Sequence, residues 1–406
     1  MRTLRFVFYR TLVAAILSAL ASAGVFAQTE TIIHTFIGGS DGSSPDGTLI
    51  ADNNGNLYGT TGGGGPNSTC ECGTIFEFIR GANGTWTENF LYAFGQLADR
   101  DDGLGPQGPL TFDGKGNLYG TTIAGGSAAF GTVFELSPGS NGTWTEKVLY
   151  NFTNGADGES PYSGVVLDSA GNLYGTASGG TLGFGVIFEL SPQSDGTWTE
   201  KILHGFTGNN DGGYPTGPLT FDPAGNLYGI VPLGGARDYG LVFELVHGSN
   251  GSWTEKVLHE FSGGSAGSNP IGGVIMDAAG NLYGTASFIA YELSPNSNGT
   301  WTAKLLHSFG GGTDGASPQA GLTLDGAGNL YGTTYSGGVH RGTVFELSPD
   351  TNGIWTERLL HRFASTGADG IFPDSTGLLL DTSGNVFGTT PRGGTSNAGV
   401  LFEIVP

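Results

Sequence analysis

The pentapeptide Gly-Asn-Leu-Tyr-Gly begins at Gly55, Gly116, Gly171, Gly225, Gly280 and Gly328, and a seventh copy reads Gly384-Asn385-Val386-Phe387-Gly388. The spacings are 61, 55, 54, 55, 48 and 56 residues. A chain copied at such a period folds as a series of supersecondary units, each burying its apolar face only against its neighbours.

The sixth copy shows the whole unit: residues 321–325, 329–334, 342–349 and 355–363 read as four short strands, a to d. Asp325 followed by Gly328 suits a capped type I turn with a positive-φ glycine, joining a to b. Gly332, inside strand b, marks a close approach, expected to come from a neighbouring backbone. Strand c reads Thr-Val-Phe-Glu-Leu and ends at Ser348-Pro349, because proline cannot donate to a ladder. An Asn-Gly step such as Asn141-Gly142 turns the chain into strand d. Four-stranded antiparallel meanders at this period predict an all-β fold, a β-propeller.

The two ends set the blade count. Residues 29–36 match strand d of later copies, such as residues 304–309, yet precede any a, b or c strand. Residues 399–406 read as a strand c with no d strand after them. Pairing the orphan with the last blade gives seven complete blades and removes the open edges of a linear array. Residues 28–406 are therefore read as one seven-bladed domain closed by its N-terminal strand.

Residues 1–27 read as a secretory signal, with Arg2, Arg5 and Arg10 before an apolar core, residues 12–20, too short for a membrane span. Cleavage is expected after Ala27, with Ala23 as the alternative. A secreted protein, extracellular or periplasmic, with no transmembrane span follows. Loss of the leader takes the formal net charge from −21 to −24. Such a surface repels phosphate backbones, so nucleic acid is excluded as a partner. The 76 glycines suggest low complexity, but 25 Phe, 14 Tyr and 6 Trp at regular intervals assign them to turns. Cys70 and Cys72 are the only cysteines, and a bridge over one residue would be a strained ring, so packing is expected to hold the fold.

The unit in residues 321–334 and 342–349 resembles the GloVer tandem repeat of exported bacterial "choice-of-anchor" proteins, over essentially the whole mature chain. The Asp-x-x-Gly-Asn-Leu-Tyr core is similar, over a shorter stretch, to the NHL and SMP-30 class of propeller repeats. The first resemblance implies export, often with a C-terminal anchoring segment, and no particular activity. No such tail follows Val405-Pro406, and free release of a monomer is expected.

With strand a innermost, the d-to-a and b-to-c loops share one face. That face carries Asp-Gly-x-x-Pro at Asp41, Asp102, Asp157, Asp211, Asp314 and Asp369. Asp99, Asp101, Asp102, Asp157, Asp211, Asp314 and Asp369 are the candidate ligand-binding residues, and the same motif is also plain turn chemistry. Asp99 to Asp102 resemble part of a calcium loop without its terminal glutamate. His34, His204, His259, His307 and His361 share one repeat position, filled by Tyr92 and Tyr150 in two copies. On strand d they stand roughly 20 Å from the axis, too far apart to share a metal, so no metal or cofactor is expected and blade packing is the reading. The six tryptophans share strand parity with core residues such as Val148 and Phe152, and packing is favoured over sugar stacking. The seven equivalent glutamates of strand c are structural, since one active site needs asymmetry.

Asymmetry appears in blade five, where the b-to-c loop has nearly vanished and Ser268-Asn269-Pro270 departs from the motif. No catalytic constellation stands out. The leading expectation is a non-enzymatic scaffold binding an extracellular protein or glycan through its loop face. The alternatives are a polysaccharide hydrolase or lyase using acids on that face, and a multivalent lectin.

Overall fold

A computed structural model describes residues 29–66, 70–338, 340–364, 368–373 and 377–405; the signal sequence expected at residues 1–27 lies outside them. Seven four-stranded antiparallel sheets form a ring, a seven-bladed β-propeller. Blade one shows the pattern: strand a is Ile50–Ala51, b Leu57–Thr61, c Thr74–Arg80 and d Trp86–Ala93. Each a-to-b turn has the expected chemistry. In blade six the Asp325 carboxylate accepts the N–H groups of Ala327 and Asn329, both at 2.8 Å, and Gly328 has φ +90°.

Closure occurs as the ends implied. Strand Thr29–Thr35 pairs antiparallel with Val400–Val405, from Thr29 opposite Val405 to Thr35 opposite Val400. The last sheet thus takes its fourth strand from the start of the chain.

The core lies between blades, not within them. Each of seven apolar clusters joins two adjacent blades. The phenylalanine ending each strand d packs on the aromatic ring of strand c in the next blade. Phe36 meets Phe76 at 5.4 Å, Phe206 meets Phe243 at 5.5 Å, and Phe363 meets Phe402 at 5.4 Å. Blade five places Tyr291 in this role, 5.2 Å from Phe261. Cys70 and Cys72 are disulfide-bonded within one loop of blade one. That bond ties no distant parts together, so packing holds the ring.

Two details differ from the sequence reading. A Cβ on Gly332 would sit 2.6 Å from Phe345 Cζ and 2.9 Å from Leu322, so the close approach is by ring and side chain of the same blade, not by a neighbouring backbone. Gly332→Ala is expected to lower stability by about 1–3 kcal/mol through overpacking, read as a lower urea midpoint. The second detail is a β-bulge in every c–d pair, for example between Val133 and Phe134 opposite Val148 and Tyr150. An extra residue inverts which face later side chains take. Trp144 therefore packs toward blade one, while Tyr150 and Phe152 pack toward blade three. Equal parity does not put the tryptophans on the face of Phe152.

Candidate functional site

The Asp-Gly-x-x-Pro loops are built as clamps. The aspartate accepts the N–H of the residue four before it in several copies: Asp41 from Ile37 at 2.6 Å, Asp157 from Thr153 at 2.8 Å, Asp314 from Gly310 at 2.6 Å. The same carboxylate reaches the His or Tyr of strand d, as in His307 Nε2 to Asp314 at 3.1 Å and Tyr92 Oη to Asp102 at 3.0 Å. The proline seats on the positive-φ glycine that opens strand c of the preceding blade. A Cβ on Gly185 would lie 2.4 Å from Pro215, and one on Gly399 2.4 Å from Pro45.

Fixing the proline fixes the next residue, which points at the axis. Asp46, Gln107, Tyr162, Thr216, Ile271 and Gln319 follow the first six prolines, and all six line one cavity of about 450 Å³. All seven blades contribute to it, through Ser163, Gly272 and Gly377 among others, so it lies on the ring axis. The seventh post-proline residue, Asp374, lies outside the described residues. Hydroxyls and amides from Thr48, Gln107, Ser163, Thr216 and Gln319 alternate there with apolar surface from Pro109, Pro218 and Ile271. Among the described lining residues there is no lysine, arginine or histidine. Tyr162 is 48% exposed, a ring left open to a ligand.

Sequence reasoning passed over this ring because it followed the repeated residues. The signal was the single variable position after each invariant proline.

The candidate aspartates are placed otherwise. Asp99 and Asp101 are exposed on a loop of blade two. Asp102 is fully buried and turns away from them, accepting from Tyr92 and the Gln96 N–H. Asp157, Asp211, Asp314 and Asp369 sit at separate blade junctions and do not converge on the cavity.

At six of the junctions a glutamate of the next strand d joins the group. The structure clusters His34, Asp41 and Glu88; His307, Asp314 and Glu357; and His361, Asp369 and Glu30, with one ligating atom from each within 4.8 Å of the others. Comparing histidines across blades had missed these groupings, because the partners come from three places in the sequence. His34 is hydrogen-bonded to Asp41 at 3.0 Å, which in turn accepts the Ile37 N–H. Burial, with the neighbouring aspartate charge, pushes Glu146 up to about 8 and Glu200 and Glu255 to about 7.

Other repeated residues are scaffold. The tryptophans stand edge-on to the strand-b ring of the preceding blade, as Trp198 to Tyr119 at 6.4 Å and Trp301 to Tyr228 at 6.3 Å. Strand-c glutamates bind that tyrosine or a strand-d base: Tyr58 donates to Glu77 at 2.6 Å, and Lys256 donates to Glu244 at 3.2 Å. In blade five the b-to-c connection is reduced to Ser287-Phe288, and strand a lengthens to Pro270–Met276. Phe288 is left 56% exposed at the resulting notch.

Among solved structures the ring is similar to virginiamycin B lyase from Staphylococcus aureus, at 14% identity and a TM-score of 0.55, covering 93% of this chain and 99% of that one. It is also similar to the extracellular domain of a putative hybrid two component system from B. thetaiotaomicron, at 13% identity and a TM-score of 0.58. That match covers 93% of this chain and 42% of the other. At these identities the likeness is one of fold. No curated protein matches the chain. The Gloeobacter/Verrucomicrobia repeat model matches residues 21–153, 141–292 and 289–406. By these three matches, spanning the same copies that build the blades, the chain belongs to the Gloeobacter/Verrucomicrobia repeat family.

Proposed function

We propose that this protein is an exported, non-enzymatic binding propeller that holds a neutral glycan at the axial mouth of its loop face. The observation that carries this reading is the contrast between clamp and mouth. The residues that build each loop repeat from copy to copy, whereas the axial residues they present are an acid, two amides, a tyrosine, a threonine and an isoleucine. Similar loops from successive blades thereby surround one asymmetric site.

The chemistry favours a sugar. A cavity of this size suits a small ligand or a chain end. Amide and hydroxyl groups match sugar hydroxyls, and Tyr162 offers a ring face to a pyranose. The lack of a basic residue among the described lining residues and the formal charge of −21 disfavour anions. The basic, apolar leader supports export, and among the described residues no helix is long and apolar enough to cross a membrane. Asp99 and Asp101 stand on the same face as exposed acids, while Asp102, Asp157, Asp211, Asp314 and Asp369 serve binding by holding the loops.

Glycan-array screening followed by calorimetry tests the reading. Tyr162→Ala and Gln107→Ala are each expected to weaken a captured glycan by about tenfold, the loss of one good contact. Trp301→Ala should leave affinity unchanged with one site per chain. Loss of binding in Trp301→Ala at several sites per chain would establish the multivalent lectin instead. Cleavage of the captured glycan would establish the hydrolase or lyase.

A further inference from the structure

Glu146 and Glu200 lie at junctions where no described histidine, lysine or arginine faces them. Tyr92 and Tyr150 replace histidine there, leaving Tyr92, Asp102 and Glu146 at one junction and Tyr150, Asp157 and Glu200 at the next. Asp102 is fully buried. Its Oδ2 accepts the Tyr92 hydroxyl and the Gln96 N–H, both at 3.0 Å. Its Oδ1 and Glu146 Oε1 are both buried without a hydrogen-bond partner. At the second junction Asp157 accepts Tyr150 at 3.2 Å and Thr153 Oγ1 at 2.7 Å, and Glu200 Oε1 is again buried and unpartnered.

The internal copies show that the two acids belong together. Six junctions carry an aspartate in the loop and a glutamate on the next strand d, whether the strand-d partner is histidine or tyrosine. At the junction of blades four and five both are absent, with Ala266 at the aspartate position and Ala303 at the glutamate position. His259 is retained there, and burial holds its imidazole below the usual range. One acid is never kept without the other. If the glutamates were simply ion-pair partners of histidine, the tyrosine junctions would have no use for them.

We propose that Glu146 beside Asp102, and Glu200 beside Asp157, each carry a proton in mildly acidic solution, making the junctions of blades one, two and three latches that acid strengthens. Two neighbouring carboxyl groups at a junction with no basic side chain among its described residues cannot both ionise cheaply. A proton on the glutamate removes the repulsion between its charge and that of the aspartate, and spares a buried, unpartnered oxygen from carrying charge. Tyr92 cannot serve, since its proton already goes to Asp102 Oδ2, and the groups facing Glu146 are Asp102 from the loop and Tyr92 from strand d of blade one. Asp157 and Tyr150 stand in the same relation to Glu200.

The sign of the linkage follows. A carboxyl whose folded pKa lies above its unfolded value contributes stability that is full below the unfolded pKa and is lost as pH rises through the folded one. For Glu146 and Glu200 that window runs from the ordinary glutamate value of 4.5 to about 8 and about 7. Histidine titration does not contribute at these two junctions, which makes them the clean place to look.

Thermal unfolding of the full chain is compared between wild type and the double variant Glu146→Gln and Glu200→Gln, from about pH 5 to about pH 8.5, with EDTA or with calcium. Wild-type Tm is expected to fall as pH rises, the variant to show a flatter profile and to exceed wild type at the alkaline end. A protonated-carboxyl infrared band in mildly acidic solution should lose intensity in the variant. Parallel Tm profiles, or an unchanged infrared band, overturn the proposal. So does a wild-type Tm at alkaline pH that calcium raises and EDTA abolishes, because the junction would then be a cation site.

Discussion

Removing residues 29–36 is expected to abolish the cooperative unfolding transition of the whole ring. The deletion takes away a strand paired from Thr29 to Thr35 with Val400–Val405, and with it Phe36, which is fully buried against Phe76 of blade one. Truncating one such phenylalanine costs about 3–5 kcal/mol, against a total stability of about 5–15 kcal/mol for a domain. The loss also strips the cluster shared by blades seven and one and bares the edge of the last strand c. Thermal unfolding should show no sharp transition, and size-exclusion chromatography should show concentration-dependent assembly through the exposed edge. A synthetic peptide of residues 28–37 should restore the transition by adding the missing strand. Unchanged unfolding of the truncation would mean that the ring does not depend on closure.

Phe206→Ala is expected to destabilise the ring by about 3–5 kcal/mol, measured as a lower denaturant midpoint at constant slope. Phe206 ends strand d of blade three and is fully buried against Phe243 of blade four. The cavity would open at a junction, where Ile187, Leu227 and Val231 also meet, and neither blade has a core of its own to fall back on. Trp301→Ala should cost much less, because that ring is only partly buried and meets Tyr228 edge-on. Equal losses for the two variants would contradict a core concentrated at the strand-d phenylalanines.

Most of the architecture was legible because each unit is local. The Asp325 to Gly328 turn and the strand-c run lie within a few residues of their consequences, and the orphan strand before Phe36 was legible because it and the last strand c each lacked a partner in their own copy. The site was less legible. The aspartates drew notice because they repeat, yet their carboxylates are occupied with Ile37, Thr153 and Gly310 N–H groups and with strand-d side chains. The axial residues Gln107, Tyr162 and Ile271 are ordinary residue types on separate loops, and only ring closure makes them neighbours.

The sequence by itself determined the seven copies, the strand order within each and the strand exchange that closes the ring, because those features follow from period, turn chemistry and one unmatched strand at each end. Tertiary structure alone decided which side chains share a face and a junction. The bulge in each c–d pair sends Trp144 to one neighbour and Tyr150 to the other despite equal parity. Rotation from blade to blade then sets Glu30 beside His361 and Asp369, more than three hundred residues along the chain. Such contacts depend on a one-residue register shift and on closure of the whole ring, and neither leaves a periodic mark in the residues concerned.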